Sequence, residues 1–252
     1  MIGGQSLIRL RALSGARPAI SWIITFISVV IGPVLSRKAS TLVTTWNTKG
    51  VSGPAQVFNS SVTTTTCIPR PRAVCTMGSA SRRITLGGQG YTVATLVQAN
   101  HGIRPWLTIL GRPVGQLIPE DALYEAEMGS IIVILATDAP LSGLALRQLA
   151  KRAALGIGRG GTPGGNNSGD IFLAFSTANP GPMPQFAPAL IARTELNIDL
   201  LDDLYLAAVQ SVEEAVVNAM VAGEDVPTVK PPGRTCRALD HDRLRAIFAA
   251  TA

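Results

Sequence analysis

The stretch that most limits what this chain can be is residues 160–179, GGTPGGNNSGDIFLAFSTAN. Gly160, Gly161, Gly164 and Gly165 make a loop, and the alternating apolar residues over 171–175 then read as a strand. A single hydroxyl, Ser168, is thereby set where a pliable loop meets a rigid element. Gly165, Asn166, Asn167 and Gly169 tolerate backbone conformations closed to most residues, so the peptide bond before Ser168 can be held under strain. Strain beside a hydroxyl is what self-cleavage by an N→O acyl shift requires. The same residue types also suit an ordinary loop-to-strand junction.

Composition narrows the class further. A chain of 252 residues that is 46% hydrophobic can bury the core of one large domain or two small ones. Aromatic residues make up only 5% of it and glycines number 25, which favours α/β layers over a β-sandwich. The net charge of +6 would suit an acidic partner. Its basic residues are scattered, however, as Arg9, Arg11 and Arg17, then Arg82 and Arg83, then Lys151 and Arg152, with no aromatic residues interleaved within these groups. Nucleic acid is therefore not the expected partner. Cys67, Cys75 and Cys236 lack metal-ligand spacing and cannot all pair with one another, so they read as free thiols of a reducing compartment. His101 and His241 are too few for a histidine-rich metal site, and neither is assigned a role.

Along the chain, residues 1–72 stand apart from the rest. Arg9, Arg11 and Arg17 precede an uncharged apolar stretch over 19–35, AISWIITFISVVIGPVL, which has the form of a signal-peptide core or a short membrane anchor. Its β-branched and aromatic residues suit a buried strand pair equally well. Residues 36–72 are rich in Ser and Thr, punctuated by Pro, and read as irregular. Order begins near 73. A strand is predicted over 91–98, running into Asn100, followed by a second strand over 106–110 with its hairpin return over 112–118, and then a short polar helix over 119–127. The continuous apolar run 130–136 reads as a strand buried on both faces. A helix is predicted over 141–155, with Leu141, Leu144, Leu146 and Leu149 on its apolar side and Gly156 as its stop. The longest helix is expected over 199–222, striped with Ala207, Ala208, Ser211, Ala215 and Ala219, and a last helix over 242–248 follows an Asp240 cap. Gly156, Gly158 and Gly161 match GxGxxG, but they follow a helix and open none, so dinucleotide geometry is absent.

The run GGNNSGDIFLAFSTAN resembles the signature of the L-aminopeptidase/D-amidase-esterases and β-peptidyl aminopeptidases, a family of self-activating serine peptidases. The segments SASRRI, GYTVATLVQANHGIR, VQSVEEAVVNAM and HDRLRAIFA resemble it too, so the likeness runs from about residue 73 to the C-terminus. Upstream of Cys67 the chain does not resemble the family's N-terminal portion. What the resemblance implies is a layered αββα sandwich with a hydrolase domain over 73–252 and a cut between Asn167 and Ser168. Ser168 would then be both nucleophile and new N-terminus. A free α-amine titrates near pH ~8 and can take the proton from its own hydroxyl without a histidine. The asparagine at the matching strand end is Asn100, implied to donate to the oxyanion. Glu213 and Glu214 match a paired-acid pattern in which one acid orients the nucleophile. Adjacent helical positions face different ways, so at most one of them can face Ser168. Ser211 precedes the pair by two positions, with Val212 where the family has a small hydroxyl residue.

The reading on these residues is a self-cleaving N-terminal-serine aminopeptidase that acts on small peptides, amides or esters without metal or organic cofactor. Homo-oligomeric assembly is implied by the resemblance alone. The expected location is the cytoplasm, the alternative being export or a membrane anchor through 19–35. Two rival readings stand beside it. One is an acyltransferase using the same nucleophile, and the other is an inactive or truncated relative tethered by the apolar stretch.

Overall fold

The computed structural model describes residues 76–249 apart from 121, 124–125, 128, 182–184, 187 and 229–231, together with a two-residue strand β1, Val57–Phe58. The apolar stretch 19–35, Cys67 and Cys75 lie outside the described residues. A five-stranded sheet forms the centre: β1, β2 (Thr76–Leu86), β3 (Gln89–Asn100), β4 (Ser130–Thr137) and β5 (Ile171–Ser176), in that spatial order. Neighbours are antiparallel except β4 and β5, which are parallel. The β2–β3 hairpin closes on Gly87 and Gly88, both at positive φ, as a two-residue turn between long antiparallel strands demands.

Parallel strands need a crossover, and helix α2 supplies it. Among the described residues, the α-helix before it is the single turn α1, Val114–Leu117. Helix α2, Gly143–Arg159, starts where the Ser142 hydroxyl accepts the Ala145 N–H at 3.2 Å. Helix α3, Asp202–Val221, packs beside it on the same sheet face. The residues of α2 that reach this core are Ala145, Leu149, Ala153 and Ile157, spaced four apart, and α3 adds Leu204, Ala208, Val212, Ala215 and Ala219. They meet Val93 and Val97 of β3 and Ile131, Val133 and Leu135 of β4, all fully buried. The opposite sheet face is apolar as well, with Leu96, Ile132, Ile134, Ala136 and Phe175 in one cluster. A sheet apolar on both sides is an inner layer, which fits the layered α/β class; the described residues hold one five-stranded sheet with helices on one face. A small ribbon of β6 (Val226–Pro227) and β7 (Thr235–Cys236) and helix α4, His241–Ala249, complete the described chain. Asp240 caps α4 by accepting the N–H groups of Asp242 and Arg243.

Several elements differ from expectation for identifiable reasons. Residues 106–118 form no strand pair. Pro105 sits in a 3-10 turn, Arg104–Trp106, and the return is one bridge, Ile109 to Arg112, around Leu110 and Gly111 at positive φ. Pro113, with no N–H to give a ladder, then leads into α1. The described residues between 119 and 127 are not helical. Gly156 does not stop α2, which continues to Arg159. A Cβ at Gly156 would lie 2.7 Å from both the Val209 carbonyl oxygen and the Val212 Cβ, so glycine there lets the two helices touch. Leu144, placed on the apolar side from the sequence, is 59% exposed because the buried stripe begins at Ala145.

This packing predicts opposite effects from one substitution at two nearby glycines. Gly156→Ala should destabilise by about 1–3 kcal/mol through overpacking. Gly158→Ala, where a Cβ meets nothing within 4 Å, should stabilise by about 0.5–1 kcal/mol. Urea midpoints of the two variants check the pair.

Candidate functional site

The site lies where three neighbouring strands begin or end. Asn100, the last residue of β3, is register partner to Ser130, the first of β4. The Ser130 hydroxyl accepts the Gly169 N–H at 3.1 Å, and Asp170 Oδ1 accepts the Ile131 N–H at 3.1 Å. Side chains thus continue the β4–β5 pairing upstream of its first register pair, Ile132 with Ile171. With strands about 4.8 Å apart, Asn100 and Gly169 stand two strands, or about 10 Å, from each other. The sheet end therefore gathers Asn100, Ser130, Ser168 and Asp170.

Ser168 is held at both of its polar groups. Its N–H donates to the Gly165 carbonyl at 2.8 Å, and its hydroxyl donates to Asp170 Oδ1 at 2.6 Å. Positive φ in the preceding loop falls at Gly161 and Gly164 and not at Gly165, Asn166, Asn167 or Gly169. The unusual backbone therefore sits upstream of the stretch where the sequence suggested strain.

The loop is tied down by a carboxylate that sequence reasoning missed. Glu127 is only 6% exposed, yet it carries four hydrogen bonds. Its Oε1 accepts the Gly102 N–H at 2.6 Å and the Thr162 hydroxyl at 3.0 Å. Its Oε2 accepts the Gly165 N–H at 2.8 Å and the same hydroxyl at 3.1 Å. The turn after Asn100 and the loop before Ser168 are thereby fastened to one group. Burial opposes ionisation of Glu127. The Gly165, Gly102 and Thr162 hydrogen bonds and the neighbouring His101 together outweigh it, and hold the carboxyl below its ordinary range. His101 moves down as well: burial outweighs the attraction of Glu127 and Asp170, and its Nδ1 is buried without a partner.

The two helical acids stand in ion pairs. Glu213 meets Arg159 at 3.0 Å, joining α3 to α2, and Glu214 meets Arg82, joining α3 to β2. The hydroxyl of Ser168 goes to Asp170 and to neither glutamate. Ser211 is fully buried against the sheet, sharing a 2.6 Å hydrogen bond with Thr95. A cavity of about 300 Å³ lies beside the site, lined by Asn100, His101, Trp106, Val216, Met220 and Leu239 among others; Ser168 is not part of its wall. Asp170 was within reach of sequence reasoning, since residues two apart in an extended segment share a face. Nothing in the sequence marks Glu127, which only the fold brings to residue 165.

The chain sets a serine, delivered by a glycine-rich loop, at the head of a strand in a layered α/β sheet, an arrangement that fits the N-terminal-nucleophile hydrolase fold. Comparison with solved structures agrees. The L-aminopeptidase D-Ala-esterase/amidase of Ochrobactrum anthropi, described as a variant of that fold, superposes with a TM-score of 0.65 at 49% identity, covering 73% of this chain and 50% of the other. A β-aminopeptidase of a Burkholderia species superposes at 0.61 with 36% identity, covering 71% and 50%. The β-peptidyl aminopeptidase BapA of Sphingosinicella microcystinivorans is 43% identical over 186 residues, 68% of this chain and 46% of that protein. The model of peptidase family S58 matches residues 75–233, and the chain belongs to that family. It spans about half the length of the relatives it matches.

The two shifted groups predict acid sensitivity. His101 is neutral in the fold below its ordinary 6.5, so the unfolded chain binds more protons in that window and stability falls as pH drops below about 6.5. Glu127, ionised below its ordinary 4.5, withdraws its contribution as pH falls further. Urea midpoints taken from roughly pH 8 to pH 3 should decline in these two windows, and His101→Gln should remove the upper decline alone.

Proposed function

We propose that this chain is a self-cleaving serine aminopeptidase that releases N-terminal residues from small peptides, amides or esters. The observation that carries the reading is Ser168 at the head of β5, its hydroxyl in a 2.6 Å hydrogen bond to a carboxylate, inside the stretch matched by the family. The activities for which the relatives are named, β-peptidyl aminopeptidase and L-aminopeptidase D-Ala-esterase/amidase, supply the substrate class.

In this reading the bond between Asn167 and Ser168 is cut, and the new α-amine of Ser168 accepts the proton of its own hydroxyl as Oγ attacks a substrate carbonyl. The Asn100 amide donates to the oxyanion, where one preorganised donor is worth about 3 kcal/mol. Of Glu213 and Glu214, both held by arginines in the uncut chain, one would orient the nucleophile once the chain is cut. The acyl group leaves Ser168 as water attacks the ester. Homo-oligomeric assembly and residence in the cytoplasm belong to the same proposal.

Intact mass of the purified 252-residue chain tests it. Two fragments divided between Asn167 and Ser168 are expected, with Ser168→Ala remaining whole. Fragments in both samples, or in neither, would contradict the reading. In the cleaved protein, Asn100→Ala is expected to lower kcat/KM on a peptide amide by about a hundredfold.

A further inference from the structure

Self-cleavage meets a difficulty that peptide turnover does not. In the uncut chain the Ser168 nitrogen is an amide, and its N–H is spent on the Gly165 carbonyl. An amide nitrogen does not act as a base near neutrality, so the amine that would serve the mature enzyme does not yet exist. Another group must take the hydroxyl proton. We propose that Asp170 is the catalytic base of self-cleavage, an inference that rests on the reading of a cut before Ser168.

The neighbouring groups are otherwise engaged. Glu127 is committed to Gly102, Gly165 and Thr162, and Glu213 and Glu214 are committed to arginines. His101 lies close enough to feel the charge of Asp170 but makes no hydrogen bond to Ser168. Asp170 Oδ1 receives the Ser168 hydroxyl at 2.6 Å, a short charge-assisted contact of the geometry a general base needs. The Ile131 N–H, 3.1 Å from the same oxygen, fixes Asp170 to β4 and so to the most buried strand of the sheet.

The step balances. The Oγ proton passes to Asp170 as Oγ bonds to the Asn167 carbonyl carbon. The resulting oxyanion collapses, the bond from that carbon to the Ser168 nitrogen breaks, and Asp170 returns the proton to the departing nitrogen. An ester of Asn167 on Ser168 and a free amine result. Water then hydrolyses the ester, leaving a carboxylate at Asn167, the Ser168 hydroxyl and, at neutral pH, an ammonium group. Asp170 ends as it began, and the amine it has released can take over as the base for substrates. One serine thus uses two bases in succession.

A four-member cycle in the full chain separates a base from a structural support. Asp170→Asn keeps an oxygen for the Ile131 N–H but cannot accept the proton. In Ser168→Cys the thiol ionises unaided near pH ~8.5, so the cut depends less on a base. Cleavage rates are read by intact mass at about that pH. Asp170→Asn is expected to slow cleavage at least about a hundredfold with serine and at least tenfold less severely with cysteine. Equal losses in both backgrounds, including loss through misfolding, would make Asp170 a structural residue and overturn the proposal. Cleavage of Asp170→Asn at the parent rate would overturn it too, while leaving self-cleavage intact. If both parents stay whole, the self-cleavage reading falls and the base falls with it.

Discussion

A buried carboxylate holds this site together. Taking an ionised carboxyl out of water costs several kcal/mol unless donors replace the lost hydration. Glu127 meets that cost with two backbone N–H groups and a hydroxyl, drawn from two segments far apart in sequence. Gly102 follows the end of β3, while Thr162 and Gly165 belong to the loop that leads to Ser168. Since each donor is worth about 1.5–3 kcal/mol to a charged acceptor, the loop is fastened far more firmly than its glycine content suggests. Gly165 is glycine for want of room: a Cβ there would lie 2.8 Å from Glu127 Oε2.

From this anchor the rest of the arrangement follows. The loop enters β5 with Gly169 on the Ser130 hydroxyl and Asp170 on the Ile131 N–H, so the position of Ser168 is referred to β4. That strand is fixed in turn by the core between sheet and helices, where Ile131, Val133 and Leu135 are wholly buried. The crossover helix α2 can lie against α3 because Gly156 allows contact with Val209 and Val212. Precision at the serine is therefore borrowed from the packed layer, and the flexible loop contributes only the reach.

The sequence disclosed the elements whose signal is local. The strand over 171–175, the apolar run over 130–136 and the small-residue stripe of α3 each reappear within a few residues; burial dictates the last two, while Ile171 and Leu173 of β5 stay exposed. Ser168 and Asn100 were named from motifs, and the fold sets them at one end of the sheet. What stayed hidden depends on distant partners. The stop expected at Gly156 was wrong because a neighbouring helix, invisible in the local sequence, rewards glycine there. The described residues of the helix expected over 119–127 are not helical, and no local rule reveals that the Glu127 carboxylate will find Gly102 and Gly165. The strand pair expected over 106–118 failed for a reason the sequence did contain, since Pro105 and Pro113 both break a ladder.

The most direct measurement is amide hydrogen exchange at Gly102 and Gly165 in the natural chain and in Glu127→Ala, with Val133 and Leu135 of β4 as internal standards. A single clamp predicts that protection at both glycines falls together, by about ten- to a hundredfold beyond any change at β4. Unchanged protection, or loss at one glycine alone, would mean that Glu127 does not hold the two segments together, and the account of how Ser168 is positioned would be wrong.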